Sequence, residues 1–273
     1  MASICFRILF ITLLGLALPL RAATLTFGVG PQQSASELAK RWVPVLEYLS
    51  GKTGLQLRFQ TARDIPMFQQ EMNAGRYDIA YINPVHYIIF HRSSGYQAFA
   101  RDKDSKLTGV LVARRQSVRS LEDLRGMPIA FPSPTAIAAT AIPLAHLNER
   151  QIQIEPRYVV SMDSVYRAVA KGMFVAGGGE MRTLSMLDPQ IRDQLEVVWQ
   201  ADPLPPFLFA AHPRVTASDI AKLRNAMEGM HTDPRGAALL KSIGFSSIGA
   251  TSDGDYAAMR TSPLVAAIER QAR

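Results

Sequence analysis

Cysteine is nearly absent from this sequence. Cys5 is the only one, and it lies at the edge of the first apolar stretch. A single thiol there supports neither a disulfide nor a cysteine-ligated metal, and no small-residue box precedes it to mark a lipid-modified cysteine. The five histidines, at positions 86, 91, 146, 212 and 231, are scattered without metal-ligand spacing. Also missing are a Gly-x-Ser-x-Gly elbow, a phosphate-binding P-loop and a His-Glu-x-x-His helix, so no catalytic metal or cofactor is expected. Asp163 and Glu180 are candidate carboxylates, but neither has an evident partner for acid–base work, which leaves a hydrolase reading with little support. The formal net charge is +7, yet Lys and Arg are interspersed with acids and form no basic run. A nucleic-acid partner is therefore not expected, because its electrostatic footprint is clustered. Past residue 18, no apolar run approaches the ~20 residues that span a bilayer.

The chain opens with the order of a secretory leader. Arg7 precedes the apolar run Ile8 to Leu18, Pro19 breaks it, and the small residues Ala22 and Ala23 follow. Residues 1–23 are read as a signal peptide and the protein as periplasmic. With 273 residues, 48% of them hydrophobic and 19% charged, the remainder is an ordinary globular mix large enough for two small lobes.

Leu25 to Gly30 alternates as a strand. Ser34 to Ser50 carries Leu38, Trp42, Val45, Leu46 and Leu49 at helical spacing, with Gly51 as the expected stop. Strand 55–59, a short helix 65–73 and strand 77–82 follow. The pattern restarts with strand 109–113, strand 128–131, an Ala-rich helix 136–148, strand 156–160 and a helix 164–171. Strand 196–199, the proline-rich 202–206 and a return strand 207–211 lead into terminal helices 218–231 and 235–243. Strand–helix alternation of this kind predicts an α/β protein with two mostly parallel sheets flanked by helices. The expected organisation is lobe 1 over 24–106 and 209–273, and lobe 2 over 107–208.

Ligands of open α/β sheets bind beyond the carboxyl ends of the strands. Three such places carry suitable residues. Ser133 and Thr135 sit just before a helix that Ala136 opens and whose unpaired N–H groups favour an anion; alternatively the two hydroxyls only cap that helix. Tyr81 and Asn83 end a strand and offer directional hydrogen bonds, although Tyr81 also fits an ordinary core position. Ala176 to Thr183 contains three glycines, which read either as a backbone anion nest with Arg182 as counter-charge or as a flexible turn with Arg182 on the surface.

In order and spacing, four stretches resemble the phosphate/phosphite/phosphonate-type solute-binding proteins of ABC importers, within the type 2 periplasmic binding-protein fold. They are Trp42–Gly54, Gly75–Tyr87, Ser120–Thr135 and Ser161–Gly172. The resemblance implies two lobes joined by two crossover strands, closing on a small oxyanion by a hinge. It places that anion against Ser133 and Thr135, with Tyr81 and Asn83 facing it and Asp163 nearby. It also implies an ABC permease as partner; a membrane sensor kinase reading the same clamshell is the alternative. Two positions depart from the family pattern: Met162 stands where a His is usual, and Val175 where many members carry an Asp.

Overall fold

The computed structural model describes residues 24–271; the expected leader and Cys5 lie outside the described residues. β1 (Thr24–Val29) leads into α1 (Ala35–Thr53), whose N-cap Ser34 accepts from the Glu37 N–H at 3.3 Å. Leu38, Trp42, Val45, Leu46 and Leu49 form its buried face, as their spacing predicts. The helix runs past Gly51 and stops at Gly54, whose φ of 72° is left-handed and whose N–H bonds the Ser50 carbonyl at 2.9 Å. β2 (Gln56–Gln60), α2 (Ile65–Asn73) and β3 (Ile79–Ile82) follow. Then come α3 (Pro84–Ser94), which uses Asn83 as N-cap, and β4 (Gln97–Asp102).

The chain next builds a second sheet from β5 (Gly109–Arg114), β6 (Pro128–Phe131), β7 (Glu155–Tyr158), β8 (Ala176–Glu180) and β9 (Leu195–Gln200). Between β6 and β7 lie a π turn (Ile137–Ala141) and α4 (Ile142–Glu149); α5 (Met162–Ala170) precedes β8. α6 (Met181–Ser185) and α7 (Pro189–Arg192) lead to β9. β10 (Leu208–Ala211) returns to the first sheet, followed by α8 (Ala217–Glu228), α9 (Pro234–Ser242), β11 (Ile248–Ala250) and α10 (Pro263–Gln271).

The six-stranded sheet has the order β11-β4-β10-β3-β1-β2 and the five-stranded sheet β7-β6-β8-β5-β9. Parallel pairing is confined to β2-β1-β3 and β7-β6-β8, the strands joined by crossover helices. The remaining pairs are antiparallel, and all but β11-β4 include β5 or β10, strands that enter a sheet where the chain changes sheets. Both sheets are thus mixed rather than mostly parallel. Two segments pass between them, and they are tied by reciprocal bonds of 3.0 and 2.9 Å between Leu107 and Leu204.

Each sheet is covered on both faces. Phe27, Trp42, Leu46 and Phe209 fill one face of the first, while Tyr77, Tyr87, Tyr96 and Tyr256 fill the other. Val110, Val165, Tyr166 and Val169 pack on one side of the second sheet, with Leu111, Leu124, Phe131 and Leu147 on the opposite side. Each such side chain contributes about 1.5–3 kcal/mol by leaving water, which gives each lobe a core of its own. The lobes also touch through apolar groups: Ile137 packs into the first lobe's core and Ile65 against the second's. Among the described residues, no helix is long and apolar enough to cross a membrane.

Candidate ligand-binding cleft

The carboxyl ends of four strands converge on one cavity between the sheets. β1 supplies Gly30 and Gln32, and β3 supplies Tyr81 and Asn83; Ala136 follows β6, and Glu180 ends β8. Its volume is about 50 Å³. On that scale a water takes roughly 10–15 Å³, so the space holds a few water-sized groups. Ile65, Phe68, Ile137, Met162 and Phe207 make the walls largely apolar. No Lys or Arg side chain lines it.

From the first lobe, Tyr81 is 1% exposed, and its ring lies 5.0–5.6 Å from those of Phe207, Phe209, Trp42 and Phe245. Burial pushes its phenol above the usual range, and its hydroxyl accepts a hydrogen bond from Arg182. Asn83 lines the cavity but is also committed to α3: its Oδ1 accepts from the His86 N–H at 2.9 Å. Nδ2 then faces His86 Nδ1 at 2.7 Å, which makes that ring nitrogen an acceptor and leaves the hydrogen on Nε2. Gln69 Nε2 lies 2.7 Å from His86 Nε2, and pairing with a hydrogen there requires the Gln69 amide to present its oxygen instead. His86 is thus locked as a neutral imidazole. Burial, only partly opposed by a hydrogen bond to the Thr135 backbone, holds its pKa down to about 4.

From the second lobe come Ser133, Thr135 and Ala136. Both hydroxyls are buried and lie 3.3 Å apart; Ser133 Oγ also accepts from the Thr135 N–H at 3.3 Å. Ala136 opens the π turn, whose Thr140 and Ala141 N–H groups both bond the Ala136 carbonyl, at 2.9 and 3.0 Å. The N–H groups at the start of a helical turn have no partner within it, and Ala136, Ile137 and Ala138 are the residues this turn presents to the cavity. Of the residues expected from sequence, Tyr81, Asn83 and Ala136 line the cavity. Ser133 and Thr135 lie immediately before its wall without lining it. Asp163 is in the first turn of α5, paired with Arg167 at 2.7 Å, and does not line it. Arg182 sits behind the cavity, in an adjoining void with Gln32, Arg41 and Tyr81.

The glycine triplet is neither nest nor turn. It is the middle of β8, fully buried. A Cβ on Gly178 would stand 1.9 Å from the Ala139 carbonyl oxygen, and one on Gly179 would stand 2.1 Å from the Tyr166 hydroxyl. Side chains are excluded there because the π turn and α5 press directly on the strand. Tyr166 in turn fixes the strand's end: its hydroxyl accepts from the Glu180 N–H at 2.8 Å and bonds Thr183 Oγ1 at 2.9 Å. Thr183 Oγ1 lies 3.3 Å from Met162 Sδ, so the thioether standing at the family's His position is held as wall. Val175, at the family's Asp position, packs against the second lobe's core instead of lining the cavity. The cavity's carboxylate is Glu180, 1% exposed, with one oxygen 3.6 Å from Arg182 Nε and the other without a partner. Burial raises its pKa, against the pull of Arg182.

Sequence reasoning missed Glu180, Gln32 and His86 as cavity residues. The rule that ligands sit at strand carboxyl ends points to Gln32, just past β1. It points to Glu180 only once Ala176–Glu180 is known to be a strand.

Two helix-covered sheets joined by two crossing segments, with strand ends from both facing one buried cavity, define a two-lobed solute-binding protein. Residues 27–256 match the family described as "ABC transporter, phosphonate, periplasmic substrate-binding protein". The chain belongs to that family, a substrate-binding transport family rather than an enzyme family. It is 24% identical over 227 residues to the phosphate-import protein PhnD of Mycolicibacterium smegmatis, covering 74% of this chain and 70% of the relative. A binding protein component of an ABC phosphonate transporter from Pseudomonas aeruginosa superposes with a TM-score of 0.82 at 18% identity, covering 91% of this chain and 87% of the other. PhnD1 from Prochlorococcus marinus, solved in complex with methylphosphonate, gives 0.78 at 15%, covering 91% and 97%. These likenesses carry the two-lobed fold, and the family carries a small ligand and an ABC transporter as partner. The sensor-kinase alternative gains no support from them.

Proposed function

We propose that this protein captures a small tetrahedral oxyanion of the phosphonate or phosphate class in the cavity between its lobes and delivers it to an ABC permease from the periplasm. The observation that carries this reading is the start of the π turn, where residues 136–138 border a cavity of about 50 Å³, the scale of one such anion. The relatives point the same way: one is named for phosphate import, and another was solved with methylphosphonate. The apolar walls add a preference. With Met162 and Ile65 facing the guest instead of a donor, an alkyl substituent on phosphorus is accommodated better than a fourth charged oxygen.

In this reading Ser133 and Thr135, buried just behind the cavity wall, become contacts when their hydroxyls turn from each other toward the bound anion. Replacing either by Ala removes a hydrogen bond to a charged partner, worth about 1.5–3 kcal/mol, or roughly ten- to a hundredfold in affinity. Titration calorimetry with methylphosphonate on Ser133→Ala and Thr135→Ala checks it. Unchanged affinity in both variants removes these residues from the site.

A further inference from the structure

Arg182 is heavily engaged yet does not itself line the cavity; its contacts are to the backs of residues that do, among them Tyr81, Gln32 and Glu180. It stands on α6 of the second lobe, directly after β8, yet most of its partners belong to the first lobe. Nη1 donates to the Tyr81 hydroxyl and Nη2 to Gln32 Oε1 at 3.4 Å. Its guanidinium carbon lies 5.5, 5.2 and 5.5 Å from the ring centres of Tyr81, Phe207 and Phe245. Two buried carboxylates flank it, one from each lobe: Glu180 at 3.6 Å and Asp102 at the end of β4, each with an oxygen that has no hydrogen-bond partner. A planar, weakly hydrated guanidinium is the side chain that tolerates such a cage, donating in its plane and stacking with its faces.

A second arginine crosses the same seam in the opposite direction. Arg41, on α1 of the first lobe, donates to the Met186 carbonyl at the end of α6 at 3.2 Å and to the Ser242 carbonyl of its own lobe at 2.9 Å. Met186 meanwhile lies against Gly244 of the first lobe. The short helix α6 is therefore gripped at its start by its own arginine in the first lobe's aromatic cage, and at its end by an arginine from that lobe. Swinging the lobes apart breaks both contacts.

We propose that Arg182 is a positioning residue that latches the lobes together behind the cavity, with Arg41 as its counterpart, so that ligand affinity is set partly by a contact that never touches the ligand. The latch biases the ligand-free protein toward the closed form. It rests on the oxyanion-capture reading only for the ligands used to measure it. A binding-competent closed form populated to a fraction f gives an apparent Kd equal to the intrinsic value divided by f, so loss of the latch weakens every ligand by the same factor.

The test uses the exported protein with spin labels at Glu47→Cys on α1 and Glu149→Cys on α4, both exposed positions; no other cysteine occurs among the described residues. Interlobe distances are measured by pulsed electron resonance without and with ligand, and Kd for methylphosphonate and for phosphate by calorimetry. Arg182→Lys keeps the charge but loses the fork and the stacking, and Arg41→Gln removes the second crossing without touching the cage. Ligand-free wild type is expected to show mainly the short distance, and both variants a shift to the longer one. Kd should rise about tenfold or more for Arg182→Lys, with the ratio between the two ligands unchanged. An unchanged distance distribution in both variants overturns the latch, and so does a changed ligand ratio, which marks Arg182 as a direct contact. If wild type binds neither anion, the oxyanion reading fails while the distance comparison still decides the latch.

Discussion

At the scale of single residues, His86 carries a pH dependence with a definite sign. In the unfolded chain its pKa is near the ordinary 6.5, and in the fold burial holds it at about 4. Between those values the unfolded state binds more protons, so stability rises with pH across that window and is lost as pH falls through it. The shift corresponds to about 3 kcal/mol, fully present above pH 6.5 and gone below pH 4. His86→Gln should flatten this part of the profile, read as urea midpoints at pH 4.5 and 7. An equal pH dependence in the variant would mean that His86 is not held neutral. The residue is visible in the sequence, but its state is not: the lock depends on Asn83 being fixed by the cap of α3 and on Gln69 reaching it from α2. Likewise only the identity of Arg182 is legible, as a charge following a glycine run; its partners Tyr81 and Gln32 are 101 and 150 residues away in the chain.

At the scale of elements, periodicity and caps located most of the α/β alternation. The start of α1 after Ser34 and the strand at 128–131 follow directly from apolar spacing and from Ser and Pro signals, whereas the end of α1 falls at Gly54 rather than at the expected Gly51. What escaped has physical causes. Ala176–Glu180 has no side chains to pattern for most of its length, so composition reads as a turn although the backbone is a central strand. The stretch Pro84–Ser94 is apolar on nearly every side because α3 is wedged between the sheet and the terminal helices, which erases the amphipathic signal. The π turn is a tertiary product, with Ala139 pressed on β8. Two glycine substitutions separate these cases. Gly178→Ala forces a Cβ to 1.9 Å from a backbone oxygen and should cost about 1–3 kcal/mol or more. Gly51→Ala meets nothing within 4 Å on an exposed turn of α1 and should stabilise by about 0.5–1 kcal/mol. Urea denaturation of the two variants reads the contrast; a neutral Gly178→Ala would mean that β8 does not lie under the π turn.

At the scale of the molecule, two lobes meet over a space lined by apolar walls, a neutral histidine, a buried carboxylate and the start of a helical turn, with an arginine seam behind it. The fold class and the position of the cleft at strand ends follow from topology rules that sequence alone engages. Which side chains face that cleft depends on lobe closure, which brings residues as distant as Gln32 and Glu180 onto one cavity. The most direct measurement is a crystal structure of the protein with methylphosphonate bound. The phosphorus is predicted to lie between the lobes, with its oxygens within hydrogen-bond distance of the Ile137 or Ala138 N–H groups and its methyl group toward Met162 and Ile65. A phosphonate bound away from that turn, or on the outer surface of either lobe, would contradict the account.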